Sequence, residues 1–170
     1  MKLIYALPFW ETYRRTNMKK TIFALTAAVT VVASTLSASA ATPAVTNLVA
    51  HATGAQVTAT SNMKMGGVKT GKATAYFVVN STKNTVCYKV TTSGVAGIVA
   101  AHIHSGAVGM DGGVAVALNP AKFNKKAQTC LSVSHAVATQ LAMNPNMFYF
   151  NVHSKKYSDG AVRGQLAAGM

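Results

Sequence analysis

Apolar and polar residues alternate in short runs along most of the chain, and turn-forming residues close each run. In Thr85-Val86-Cys87-Tyr88-Lys89-Val90 every second side chain is apolar, which puts Val86, Tyr88 and Val90 on one face of a half-buried strand. The same pattern predicts strands over Gln56–Thr60, Lys72–Val79, Thr85–Thr91, Val99–His104, Gly113–Leu118, Gln128–Ser134, Met147–His153 and Ala161–Ala167. Gly66-Gly67, Asn80-Ser81, Asp111-Gly112-Gly113, Asn119-Pro120 and Ser158-Asp159-Gly160 supply the turns between them. One stretch breaks the period. Over Ser134–Met143, Ser134 is placed to cap a short helix favoured by Ala136, Leu141 and Ala142, and Asn144-Pro145 stops it. About eight short strands with one short helix predict an all-β fold, a Greek-key-like β-sandwich or barrel.

The N-terminal pattern differs. Met18-Lys19-Lys20 is a positively charged start, Thr21 to Leu36 is apolar, and Ala38-Ser39-Ala40 has the small residues of a cleavage site. Residues 18–40 therefore read as a secretory signal peptide, residues 1–17 as an upstream extension or a misassigned start, and residues 41–170 as one domain. The expected location is secreted or periplasmic, with the membrane met only through the signal peptide.

Charge changes the list of partners. The chain holds 16 Lys and Arg against 3 Asp and Glu, a formal net charge of +13. Residues 1–40 account for five cations and one acid, so residues 41–170 keep +9 with Asp111 and Asp159 as their only acidic side chains. Such a domain favours acidic partners, an anionic envelope surface or an acidic protein. The lysines are dispersed and form no nucleic-acid-binding module, so nucleic acid is not an expected partner.

Two cysteines in an exported chain predict one disulfide, Cys87 to Cys130. Strand alternation puts both thiols on the polar faces of their strands, outside the main core. The histidines offer more. His102 and His104 flank Ile103 in a predicted strand and share one face, and His153 ends another strand on the face of Tyr149 and Asn151. Three imidazoles on strands are a donor set for Cu(II) or Zn(II). A structural account fits the same residues: their rings can bond loop carbonyls and pin the strand ends. Met63, Met65 and Met110 fall in predicted loops, where thioethers suit Cu(I) or serve as adaptable apolar groups.

Ala101-His102-Ile103-His104-Ser105-Gly106, followed by Asn144-Pro145, Phe148-Tyr149-Phe150-Asn151-Val152-His153 and Gly160-Ala161-Val162-Arg163-Gly164-Gln165-Leu166, resembles the CHRD domain, named for chordin and found also in secreted bacterial proteins. The likeness runs over roughly Gln56 to Ala168. It implies a small extracytoplasmic β-sandwich, a binding role that for chordin involves growth factors, and no established enzymatic activity. Asp159-Gly160 stands where similar segments often carry Pro-Gly.

The H-x-H strand, the later Val152-His153 and Arg163 are also similar, more distantly, to copper-zinc superoxide dismutase, which implies copper ligands at His102, His104 and His153 and an anion-guiding Arg163. No zinc-ligand loop or bridging histidine is legible. With only Asp111 and Asp159 available, both in turns, paired-carboxylate catalysis is not expected, and no catalytic residue is assigned. Arg163 also suits a structural role, its fork tying the last strand to a loop. The sequence thus reads as a binding module whose most concrete chemistry is copper held by His102, His104 and His153, with Arg163, Asn151 and Tyr149 lining or supporting the site. The alternative is a structural or adhesive module for an acidic partner, and a dismutase-like redox enzyme is a minor one.

Overall fold

The computed structural model of the chain describes residues 41, 43–58 and 66–169. The upstream extension and signal peptide read from the sequence lie outside the described residues, as do Met63 and Met65. Among the described residues eight strands form one antiparallel sheet: β1 (Val45–Thr53), β2 (Lys72–Asn80), β3 (Thr85–Ser93), β4 (Ile98–Ser105), β5 (Val114–Leu118), β6 (Thr129–Ser132), β7 (Phe148–Ser154) and β8 (Val162–Ala168). One helix, α1 (His135–Met143), joins β6 to β7 through a 3-10 turn, Pro145–Met147.

Spatial order in the sheet is β5-β4-β7-β8-β1-β2-β3-β6, so the first and last strands pair in its middle. The sheet curls into a half-barrel. Phe77 of β2 meets Phe150 of β7 edge-on at 6.0 Å although β1 and β8 separate their strands. The curl follows from the twist that L-residues impose on strands, and it encloses one face of the sheet. That concave face carries Leu48, Ala50, Phe77, Val86, Ile103, Phe150, Val152 and Leu166, all at most 1% exposed. Phe123 closes the interior against Tyr88 and Phe150, while Ala138 and Leu141 of α1 are fully buried with the core.

Alternation located seven of the strands to within a residue or two, and the helix begins as expected, with Ser134 Oγ accepting from the amide of Val137. The first strand was misplaced. Gly54–Gln56 is a 3-10 turn, and Val57 and Thr58 have no strand partner among the described residues. The strand is instead β1, whose buried positions include Ala50 and Ala52. Alanine gives little apolar contrast, so the period is faint there, whereas β-branched Val57 and Thr58 imitate it.

Cys87 and Cys130 face each other across β3 and β6 and are joined by a disulfide of 2.07 Å. The bridge spans a sequence separation of 43 and staples the edge strand β6, only four residues long, to the sheet. Loop-closure entropy for that span corresponds to about 4 kcal/mol. Replacing both cysteines with serine is expected to lower unfolding stability by about that amount, read from the denaturant midpoint of the double variant against the oxidised protein.

Candidate metal centre

The outer face of the sheet, opposite the core, carries the polar set. In β4, His102 and His104 alternate with the buried Ala101 and Ile103, so both imidazoles leave on the outer side. Antiparallel register then aligns their neighbours: His102 lies opposite Asn151, His104 opposite Tyr149, and Asn151 opposite Arg163. His153 follows two residues after Asn151 on the same face. A register shift between Ile103 and His104 in the β4–β5 pairing is of the kind that re-aims side chains beside functional sites.

The three histidines named from the sequence meet. One ring nitrogen from each of His102, His104 and His153 lies within 4.8 Å of the other two. The closest pair, His102 Nδ1 and His153 Nε2, is 3.1 Å apart. Backbone carbonyls fix the other nitrogens. His104 Nδ1 donates to Gly112 O at 3.0 Å, and His153 Nδ1 donates to Ser158 O at 2.6 Å. The Nε2 atoms of both rings are thereby the nitrogens left to face the cluster. With His153 in that tautomer, His102 Nδ1–H is the donor across the 3.1 Å contact. The pinning and metal readings are compatible: one nitrogen of His104 and of His153 is tied to a loop, while the second nitrogen of His104 is without a partner among the described residues and that of His153 meets His102.

His104 is 9% exposed, and its Nε2 is buried with no hydrogen-bond partner among the described residues. A buried acceptor is normally satisfied, so this atom fits a site that expects a cation. One of the three spacings fits as well. Imidazole nitrogens bound at about 2.0–2.1 Å around one tetrahedral ion lie about 3.3 Å apart, close to the His102–His153 separation.

Tyr149 and Arg163 hold the arrangement from beneath. The Tyr149 ring stacks on His104 with centroids 5.0 Å apart and planes at 7°, and the Arg163 guanidinium lies 3.5 Å from the Tyr149 centroid. Since β7 lies between β4 and β8, the tyrosine is sandwiched between imidazole and guanidinium. Arg163 is 3% exposed. Its Nη1 donates to Asp111 Oδ1 at 2.7 Å and to Thr58 Oγ1 at 3.0 Å, and its Nη2 donates to the carbonyls of Ala107 and Met110. The loop after β4 is thereby drawn over His104, and the Gly112 amide completes the tie by donating to Tyr149 Oη at 3.2 Å. Gly112 is required there, because a Cβ would sit 1.7 Å from the carbonyl oxygen of Ser105. Asn151 Nδ2 bonds Asp159 O at 2.9 Å and so supports the second loop, the one carrying Ser158.

A cleft of about 270 Å³ opens beside the cluster, lined among others by Thr58, His104, Asp111, His153, Asp159 and Arg163. Thr58 and the two aspartates were not singled out as lining residues from the sequence. Each looked like ordinary strand or turn chemistry, although the confinement of the only two acids after residue 40 to segments beside the histidine motifs was a legible signal. His51 is exposed on β1, and His135 bonds Asn84 Oδ1 at 3.0 Å at the start of α1. Neither joins the cluster. Met110 is 62% exposed in the loop over His104.

Burial lowers the pKa of His102, helped by the neighbouring His153 and His104. Burial also lowers that of His104, where the bond to Gly112 opposes the shift and His153 and Arg163 add to it. Both rings are therefore neutral at pH 7. In the unfolded chain they take up protons from about pH 6.5 downward, while the folded protein resists. The metal-free protein is thus expected to lose stability as pH falls below about 6.5, with no contribution from these two groups above it. Denaturant midpoints taken from about pH 8 to about pH 5 check this.

Fold and site together define a small, disulfide-stapled antiparallel β domain whose outer face presents three imidazoles beneath two covering loops. The CHRD domain profile matches residues 48–166, and the chain belongs to the CHRD domain family. No curated protein and no solved structure matches it.

Proposed function

We propose that this CHRD domain is a secreted or periplasmic binding module that takes up one copper ion through His102, His104 and His153. The observation that carries the reading is the convergence of His102, His104 and His153 within 4.8 Å, with His104 Nε2 buried and without a partner among the described residues. The affinity order for nitrogen sites, in which Cu(II) exceeds Zn(II), supports copper over zinc. Bound copper would supply a Lewis-acidic, redox-capable centre. The chain's own residues hold the rings oriented: the Gly112 and Ser158 carbonyls fix His104 and His153, and Tyr149 supports His104. The role that fits is sequestration or sensing, with occupancy falling near pH 6 and below as protons compete for the nitrogens.

Titration of the oxidised protein with Cu(II) and Zn(II) against a competing chelator tests the reading. It predicts one equivalent of copper, bound more tightly than zinc and released on acidification. Absence of competitive uptake would demote the histidines to structural pins. A dismutase-like role gains nothing from Arg163, whose two terminal nitrogens are engaged by Thr58, Asp111, Ala107 and Met110. The +9 of residues 41–170 supports a second reading, adhesion to an acidic envelope or protein surface, which would weaken with salt and survive loss of the histidines.

A further inference from the structure

The other half of the sheet, β1-β2-β3-β6, contains no acidic residue, and its formally charged side chains are Lys72 and Lys89. Alternation that buries Ala73, Ala75 and Phe77 on the core side turns Lys72, Thr74 and Tyr76 to the outer face. Lys89 leaves β3 directly opposite Tyr76, and Val49 of β1 stands opposite it on the other side. Tyr76 is 55% exposed, an uncommon amount for an aromatic ring in the middle of a strand. A cleft of about 390 Å³ opens on this face over β1 and β2, lined among others by Asn47, Val49, His51, Tyr76 and Val78. That volume falls within the range of small-ligand sites, about 300–1,000 Å³. The side chains of Asn47, His51, Tyr76 and Lys89 have no hydrogen-bond or ionic partner among the described residues, so their polar atoms are available to a ligand.

We propose that this outer face of β1, β2 and β3 is a binding site for an acidic polysaccharide, with Tyr76 as its aromatic platform and Lys89 and Lys72 as its cations. The inference rests on the second reading above, adhesion to an acidic partner, and gives it a surface and a partner class; it is independent of the three histidines. An exposed aromatic ring offers the C–H face of a pyranose an apolar surface, and the phenol, amide and imidazole around it can exchange hydrogen bonds with sugar hydroxyls. The ammonium groups pair with carboxylates as point charges. Spacing favours a polymer over a compact anion: Lys89 stands beside Tyr76, whereas Lys72 lies four residues along β2, about 13 Å away. A chain that carries a charge on each ring can meet both, with neutral Thr74 between them.

The test is titration of the disulfide-bonded protein with polygalacturonate, and with dextran as the neutral control, for the wild type, Tyr76→Ala, Tyr76→Phe, Lys89→Gln and Lys155→Gln. All four substituted side chains are on the surface, so the fold is retained, and unfolding midpoints check this. The wild type is expected to bind polygalacturonate and not dextran. Tyr76→Ala is expected to weaken binding about three- to tenfold, while Tyr76→Phe, which keeps the ring, stays near wild type. Lys89→Gln is expected to weaken it about two- to fivefold with a shallower salt dependence. Lys155→Gln, in the turn after β7 on the other half of the sheet, is expected to behave as wild type. Wild-type affinity in Tyr76→Ala, or a loss in Lys155→Gln equal to that in Lys89→Gln, would overturn the proposal and leave the adhesion reading standing. Binding to phosphatidylglycerol vesicles or to polyglutamate in place of polygalacturonate would do the same. Absence of salt-sensitive binding to all three would overturn both.

Discussion

Changing His102 and His104 together to glutamine is expected to abolish stoichiometric Cu(II) binding and to leave the fold intact. Two of the three converging nitrogens are lost, and a lone His153 cannot hold the ion against a chelator. Supporting groups outside the coordination shell are commonly worth 10–100-fold in affinity, so removal of two ligands is expected to cost at least about 1,000-fold. The fold survives because both side chains leave the outer face of β4, whereas the packing of that strand rests on Ala101 and Ile103, each fully buried on the other side. Glutamine can still donate to Gly112 O from the position of His104. The same variant supplies an internal check, because it removes both histidines whose pKa is lowered by burial. Its stability should change less than that of the wild type below about pH 6.5.

Arg163→Met has the second large effect, and it acts on stability first. The buried guanidinium satisfies Thr58, the Asp111 carboxylate and the carbonyls of Ala107 and Met110, and it stacks on Tyr149. Methionine fills part of the volume and supplies no donor. A loss of about 3 kcal/mol is expected, within the range for removing one partner of a buried, hydrogen-bonded charge. Asp111→Asn should cost only about 1 kcal/mol or less, because the carboxylate is 47% exposed and the arginine keeps its other acceptors. The loop that Arg163 anchors presents Gly112 O to His104, so copper affinity is expected to fall about 10–100-fold in Arg163→Met. Arg163→Lys should recover only part of either loss, since an ammonium cannot reproduce the fork that reaches two carbonyls and two side chains. Denaturation midpoints and chelator competition on the same samples separate the two effects.

Much of this was legible in the sequence because both fold and site are written in period two. The alternation that buries Ala101 and Ile103 also places His102 and His104 side by side, and Tyr149, Asn151 and His153 obey the same rule on β7. What alternation cannot state is which strands are neighbours. That β7 lies beside β4 in the register bringing His153 to His102 depends on the curled sheet and on chain ends that pair in its middle. β1 was missed where alanines carried the period. The loop partners were missed for a different reason: Gly112 and Ser158 act through backbone carbonyls, which have no signature in a side-chain pattern. Asp111 and Asp159 read as turn residues until the fold brought both to one cleft.

The most direct test of the central claim is electron paramagnetic resonance of the protein loaded with one equivalent of Cu(II), comparing wild type, His153→Gln and the His102→Gln/His104→Gln variant. Three imidazole nitrogens in the wild type, two in His153→Gln and no bound-copper signal from the double variant under chelator competition are the predicted results. A wild-type spectrum with fewer than three nitrogen donors, or one unchanged by either substitution, would contradict coordination by His102, His104 and His153.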